Sequence, residues 1–135
     1  MARIERQPLP DNLKVKHYKE LKVWQKGMHL TKSIYELTAS FPGDEKFGLS
    51  AQMRRAAVSV PSNIAEGQAR RGTGEFLQFL SHASGSLAEL ETQLLLSADL
   101  GYSRETQTSL ISQEIFEMQK MLAAIRSKLA GFSSH

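Results

Sequence analysis

Two pairs of adjacent arginines are the residues of this sequence best suited to chemistry with a charged ligand. Arg54 and Arg55 lie near the start of the segment 49–71, and Arg70 and Arg71 close it. A guanidinium group is always charged, and its planar fork of donors matches two phosphate oxygens. These four arginines are therefore candidate contacts to the phosphates of RNA or DNA. Solvated helix ends with local ion pairs explain them equally well.

A second basic cluster precedes these arginines. Lys19, Lys22 and Lys26 alternate with the aromatic residues Tyr18 and Trp24. Lysines hold a phosphate backbone by charge while aromatic rings stack on unpaired bases, so this combination suits single-stranded nucleic acid. In the alternative that we favour, Trp24 belongs to the core and the lysines only keep the protein soluble.

No pattern in the sequence indicates catalysis or metal binding. The chain contains no cysteine, which excludes disulfides, thiolate metal ligands and cysteine nucleophiles. His29 and His82 each stand alone, without an HExxH or Glu-x-x-His metal motif or a Ser-His-Asp order. The turn Gly72-Thr73-Gly74 lacks the Gly-Lys-Ser/Thr ending of a phosphate-binding loop. We therefore expect a protein that is not an enzyme and uses no metal or cofactor.

Composition and charge fit one folded domain. A chain of 135 residues is long enough to bury a core, and its hydrophobic content of 41% argues against disorder. The formal net charge of +3 is compatible with binding a polyanion but does not by itself indicate it. No apolar run approaches the roughly 20 residues of a membrane span. The first ten residues, MARIERQPLP, lack the apolar segment of a signal peptide. We expect a cytoplasmic protein with no membrane partner.

Apolar residues recur every three or four positions through most of the chain, which is the spacing of one helix face. We expect four helices, over about 18–40, from a start between 44 and 50 to about 71, over 73–100, and over about 104–129. Asp44, Thr73 and Ser103 are the candidate caps at the starts of the last three. Because short turns join the helices, the predicted fold is all-α, an antiparallel up-down-up-down four-helix bundle.

The bundle is expected to occupy residues 19–130. Residues 1–18 are predicted to form a flexible basic arm, and residues 131–135 a frayed tail. The first helix carries a second apolar stripe of Trp24, Met28 and Tyr35, beside the stripe that faces its own bundle. Assembly into a homo-oligomer is one way to bury such a stripe. The heptad spacing alone fits a monomeric bundle equally well.

The second helix is unusual in its small inward residues and in the proline at its middle. Alanines and Gly67 allow a neighbouring helix to approach closely. Pro61 lacks an N–H group, so we expect either a kinked helix or a break after which Asn63 and Glu66, at capping-box spacing, restart it. We expect Glu66 to face an arginine of its own or a neighbouring chain rather than to act in catalysis. The residues assigned to structural or subunit-interface roles are Trp24, Pro61, Asn63, Glu66 and Gly67.

The segment QMRRAAVSVPSNIAEG, residues 52–67, is the most specific part of a resemblance that extends over about 19–102. The chain resembles the four-helix-bundle proteins encoded in intervening sequences of bacterial large-subunit ribosomal RNA genes. A related group is the accessory variability determinant protein of diversity-generating retroelements. The resemblance implies a basic, ring-shaped homopentamer, which in the retroelement relatives binds nucleic acid and a reverse transcriptase. Residues from Ser103 onward carry no motif of this family.

The residues and the resemblance together predict a non-enzymatic homo-oligomer, pentameric by resemblance, that binds RNA or DNA through its basic surface. A protein partner such as a reverse transcriptase is implied by the resemblance alone. The alternative is a protein-interaction scaffold that ignores nucleic acid. The candidate nucleic-acid contacts are Arg54, Arg55, Arg70, Arg71, Lys19, Lys22 and Lys26.

Overall fold

Four α-helices dominate the computed structural model, which describes Leu9 and residues 17–133. The helices are α1 (Lys22–Thr38), α2 (Leu49–Ala69), α3 (Thr73–Asp99) and α4 (Glu105–Ser133). Short 3-10 helices, Tyr18–Glu20 and Gly43–Glu45, precede α1 and α2. Because no β-strand occurs among the described residues, the predicted all-α class is confirmed.

Contacts between α1 and α2 show how these two helices run. Near the end of α1, Thr38 accepts a hydrogen bond from Arg54 near the start of α2. Towards the start of α1, Gly27 faces Pro61, and a Cβ atom built on Gly27 would lie 3.3 Å from the Pro61 Cβ atom. Helices α1 and α2 therefore run in opposite directions. The start of α1 and the end of α2 share one end of the bundle.

Two further pairs of neighbouring helices in contact, α1 with α4 and α2 with α3, also run in opposite directions. Lys26 and His29 of α1 approach Glu117 and Glu114 of α4, so numbers again run in opposite directions. Between α2 and α3, Met53 contacts Ser97 near one end, and Gly67 packs on Phe79 near the other. One end of the bundle consequently gathers the start of α1, the end of α2, the start of α3 and the end of α4.

The inward rows predicted from the helical spacing form the core, and that prediction is confirmed. Every member is buried except Ile125, which is half-buried and packs against the core. The buried members are Val23, Gly27, Leu30, Ile34, Leu37, Leu49, Met53, Ala56, Ala57, Val60, Ile64, Gly67, Phe76, Leu80, Ala83, Leu87, Leu90, Leu94, Ile111, Ile115, Met118, Leu122 and Leu129.

The two ends of the chain fall only partly within the described residues. Leu9, inside the predicted basic arm, is 2% exposed and belongs to the core. Residues 1–8 and 10–16 of that arm lie outside the described residues. Helix α4 continues to Ser133, and so extends into the segment predicted as a tail, of which residues 134 and 135 are not described.

Helix α2 continues without a break through Pro61, so the restart after the proline does not occur. In a regular helix the Ala57 carbonyl would accept a hydrogen bond from the amide of residue 61. Because Pro61 has no N–H group, this bond is missing. The Thr31 hydroxyl of α1 replaces it, lying 3.1 Å from the Ala57 oxygen and 2.8 Å from the Gly27 oxygen. Asn63 lies inside the helix and donates from its side chain to the Ser59 carbonyl at 2.7 Å.

The helix caps differ in part from those predicted. The carboxylate of Glu45, rather than Asp44, accepts from the first amide of α2, that of Leu49, at 3.0 Å. The other Glu45 oxygen accepts from the Tyr102 hydroxyl at 3.1 Å, and this bond to a carboxylate raises the pKa of Tyr102. Thr73 is the buried first residue of α3 rather than its cap, because Gly72 holds that position.

Candidate nucleic-acid interface

The two ends of the bundle differ in charge. What we call the basic end consists of residues 17–30, 59–86 and 117–133. These are the start of α1 with the turn before it, the end of α2 with the start of α3, and the end of α4. Among the described residues, this end holds eight basic residues against four acidic ones. The basic residues are Lys19, Lys22, Lys26, Arg70, Arg71, Lys120, Arg126 and Lys128, and the acidic ones are Glu20, Glu66, Glu75 and Glu117.

The opposite half of the bundle, which we call the acidic end, reverses this balance. It holds five basic and eight acidic residues among those described. Because like charges repel, the basic end is the better candidate surface for a polyanion, and the acidic end is the poorer one. The basic residues are Lys32, Lys46, Arg54, Arg55 and Arg104, and the acidic ones are Glu36, Asp44, Glu45, Glu89, Glu91, Asp99, Glu105 and Glu114.

The 3-10 turn before α1 positions the lysines of the cluster that contains Tyr18 and Trp24. His17 caps this turn, since its Nδ1 atom accepts from the Lys19 amide at 3.4 Å and Glu20 accepts from its amide at 3.1 Å. Lys19 and Lys22 are exposed beside the turn. Lys26 is also exposed, but its Nζ atom lies 3.8 Å from a Glu117 oxygen, which offsets part of its charge.

The arginines at the end of α2 lie in two different environments. Arg70 donates to Glu66 at 3.0 Å and lies over the Phe79 ring, 5.3 Å from its centroid, so its charge is partly compensated. Glu66 thus faces an arginine of its own chain. Arg71 is exposed and has a φ of 63°, in the left-handed region that ends many helices. Its side chain extends from the turn between α2 and α3.

Three further cations of the basic end, Lys120 and two residues nearer the end of α4, were not among the predicted contacts. Arg126 and Lys128 lie near the end of α4, which the fold brings beside the start of α1. Their spacing in the sequence carries no motif, and only the direction of α4 relative to α1 places them there. An antiparallel bundle drawn from the predicted helices would have identified them.

Arg54 is a structural side chain of the acidic end. Its Nε atom donates to the Thr38 hydroxyl at 2.8 Å and its Nη2 atom to the Tyr35 carbonyl at 3.3 Å. The guanidinium group also stacks on the Tyr35 ring, 4.5 Å from its centroid. These contacts hold the last turn of α1, where a positive charge also suits the helix dipole. A phosphate would have to displace them.

Replacing Arg54 by alanine should therefore destabilise the fold by about 1–2 kcal/mol, since the variant lacks both a charge-assisted hydrogen bond and a cation–π interaction. Arg55→Ala is the matched control, because Arg55 is exposed and should change stability by less than about 0.5 kcal/mol. Urea denaturation of both variants measures the difference. Equal stabilities would show that Arg54 does not anchor α1.

Trp24 is neither a core residue nor a freely exposed one. It is half-buried and packs against the core, while its ring meets Tyr18 edge-on at a centroid distance of 5.3 Å. Both rings line an open groove of about 310 Å³ between α1 and α2. The remaining lining residues are Met28, Thr31, Val58, Pro61, Ser62 and Ala65.

A second groove, of about 450 Å³, lies on the other side of α1, against α4. It is acidic, since Glu36 and Glu114 line it together with Leu37 and Leu110. His29 spans it, with Nε2 at 3.2 Å from a Glu114 oxygen. No group of three or more His, Asp or Glu residues in the described part of the chain is arranged to hold a metal ion.

The remaining predicted structural residues lie where α2 meets its neighbours. Pro61 and Gly67 are buried, Asn63 is half-buried, and Glu66 is exposed. A Cβ atom on Gly67 would lie 2.6 Å from the Phe79 Cβ atom, so only glycine allows α2 and α3 to approach this closely.

Within residues 17–133, no helix combines the length and apolar character required to cross a membrane.

Comparison with known proteins agrees with this architecture. A crystal structure at 1.70 Å of a protein of unknown function from the S23 ribosomal protein family of Bacteroides thetaiotaomicron VPI-5482 superposes with a TM-score of 0.70. The two sequences are 24% identical, over 77% of this chain and 97% of that one, a likeness that shows the fold alone. No curated protein matches the chain. The family model described as 23S rRNA-intervening sequence protein matches residues 19–124, so the chain belongs to the family that its residues resemble.

Proposed function

We propose that this protein is a non-enzymatic homo-oligomer that binds RNA or DNA by charge through its basic end. The observation that carries the proposal is the excess of cations at that end. Lys19, Lys22, Arg71 and Lys128 are exposed there, and no described carboxylate lies within ion-pair distance of them. Uncompensated cations of this kind release counterions when they meet phosphates, which favours binding whatever the sequence.

The homo-oligomeric part of the proposal is supported by apolar surface that one bundle leaves exposed. Large apolar side chains on the second half of α3, its C-terminal cap and α4 are about half exposed or more. Burying such a side chain is worth roughly 1.5–3 kcal/mol, which favours association of copies. The pentameric number comes from the family resemblance. The side chains concerned are Leu95, Leu96, Leu100, Leu110 and Phe116.

Salt dependence tests the electrostatic mechanism. We expect the logarithm of the binding constant for a single-stranded oligonucleotide to fall linearly with the logarithm of salt concentration, with a slope of about −3 if four phosphates are contacted. Fluorescence polarisation of a labelled oligonucleotide over a salt series measures that slope. An affinity that stays the same between low and moderate salt would contradict binding by charge.

Light scattering on the same protein tests assembly. We expect a solution mass several times the 15.1 kDa of one chain, and a further increase when a mixed pool of RNA and single-stranded DNA is added. A mass of one chain in the absence of nucleic acid would contradict the homo-oligomer. A mass unchanged by the pool would contradict nucleic-acid binding.

A protein-interaction scaffold is the second candidate, and the groove between α1 and α4 favours it. Leu110 is 69% exposed beside that groove, and Glu36 and Glu114 give its walls a negative charge. A basic amphipathic segment of a partner protein matches such a surface, whereas a nucleic acid does not. Binding of such a segment by a protein that ignores the nucleic-acid pool would favour the scaffold.

A further inference from the structure

The groove between α1 and α2 begins at the basic end and is lined by aromatic and small side chains. The His17 and Tyr18 rings are in tilted contact with centroids 4.3 Å apart, and the Tyr18 ring meets the Trp24 ring edge-on at 5.3 Å. Three rings thus follow one another along the entry to α1. On the opposite wall, Pro61 and Ala65 leave room beside the Trp24 ring. At about 310 Å³, the groove is at the lower end of the range for small-molecule sites.

The charges around this groove suit the backbone of a nucleic acid. None of its eight lining residues is acidic, whereas the groove on the other side of α1 contains two glutamates. Lys19 follows Tyr18 directly, and Lys22 lies two residues before Trp24. Exposed cations therefore flank the aromatic rings on the same segment. The combination of a positive track with neighbouring aromatic rings is how proteins bind single strands without sequence preference.

The groove also offers a polar group to a base edge. The Ser62 side chain is exposed on its α2 wall and makes no hydrogen bond to the described part of the chain. Thr31, on the α1 wall, already bonds the carbonyls of Gly27 and Ala57. Ser62 can therefore donate to or accept from a base that stacks on Trp24.

We propose that the groove between α1 and α2 receives unpaired bases, with Trp24 and Tyr18 as the stacking surface and Lys19 and Lys22 on the adjoining phosphates. The ligand class is a single-stranded RNA or DNA segment. Paired bases are stacked on one another inside a duplex and do not enter the groove. This inference rests on the proposed function. It adds that the bases of the ligand, and not only its phosphates, contribute to binding.

Trp24 is the single tryptophan of the chain, so its fluorescence reports on the groove directly. We expect an oligothymidylate of about 15 nucleotides to quench this fluorescence and to bind roughly tenfold more tightly than an abasic oligonucleotide of equal length. The two probes carry the same phosphates and differ only in their bases. A duplex of the same length should leave the fluorescence unchanged.

Trp24→Leu keeps an apolar side chain against the core and removes the ring. It should weaken oligothymidylate binding about tenfold and leave abasic binding unchanged, with the same solution mass. Tyr18→Leu is the second variant, with an effect in the same direction. Phe47→Leu is the matched control, because Phe47 is an exposed aromatic residue beside Lys46 in the turn before α2, outside the groove. It should alter neither affinity.

Equal affinities for the two single-stranded probes, with constant Trp24 fluorescence, would overturn the stacking inference and leave the proposed function intact. Failure of both probes to bind would overturn the two together. A smaller solution mass for Trp24→Leu would show that the groove is a contact between subunits, which also overturns the inference.

Discussion

Neutralising four cations of the basic end should reduce the affinity for a single-stranded oligonucleotide by about 100-fold at moderate salt. The variant replaces Lys19, Lys22, Arg71 and Lys128 by glutamine. All four are exposed, so the fold should be unaffected. The log–log salt slope should become less steep by roughly 0.7 for each phosphate that the variant no longer neutralises. Fluorescence polarisation measures both quantities, and circular dichroism checks the fold.

The matched control removes the same net charge from the acidic end. It replaces Lys32, Lys46, Arg55 and Arg104 by glutamine, and these four side chains are also exposed. Its affinity should decrease only slightly, through the general decrease in positive charge. Because Arg55 is one of the contacts predicted from the sequence, this control tests that prediction too. Equal decreases in affinity for the two variants would mean that binding has no preferred end.

Replacing Gly67 by alanine should destabilise the protein by about 2 kcal/mol, although alanine is normally the better helix residue by about 1 kcal/mol. The added Cβ atom would lie 2.6 Å from the Phe79 Cβ atom and 3.0 Å from the Phe76 ring. A Cβ atom moves only with its backbone, so α2 and α3 must separate. Urea denaturation measures the decrease in stability.

Gly85→Ala is the control for this prediction. Gly85 lies within α3 like any other helical residue, and nothing comes within 4 Å of a Cβ atom built on it. This variant should stabilise the protein by roughly 0.5–1 kcal/mol, because alanine loses less backbone entropy than glycine on folding. Opposite signs at the two glycines are the expected result. A stabilising Gly67→Ala would mean that α2 and α3 are not in close contact there.

Periodicity was sufficient to predict the core because each helix buries one continuous row against its neighbours. The row from Phe76 to Leu94 repeats every three or four residues, and all of its members are buried. The end of α3 was predictable for a local reason. Gly101 has a φ of 79°, a conformation that glycine adopts readily after a helix.

The candidate site was harder to predict because it depends on contacts between residues distant in sequence. Arg54 and Arg55 look equivalent along the chain, yet only Arg54 reaches the end of α1. Similarly, the hydrogen bond of Thr31 to the Ala57 carbonyl joins residues 26 apart. Local spacing contains no information about which partner an arginine or a hydroxyl meets across a helix pair.

The turn residues also depend on details that propensities do not resolve. Asp44 and Glu45 are adjacent carboxylates, and either has the chemistry to cap α2. Glu45 does so because the Gly43–Glu45 turn orients its side chain towards Leu49 and Tyr102. At the other end of α2, Arg71 occupies a left-handed position that glycine usually fills.

Hydrogen exchange with and without a single-stranded oligonucleotide tests most directly whether nucleic acid binds the basic end. We expect slower exchange in two turns at that end, residues 17–21 before α1 and 70–72 between α2 and α3. The turns at the acidic end, residues 39–48 and 100–104, should exchange at unchanged rates. Slower exchange confined to the acidic-end turns, or no change in any of the four, would contradict the account.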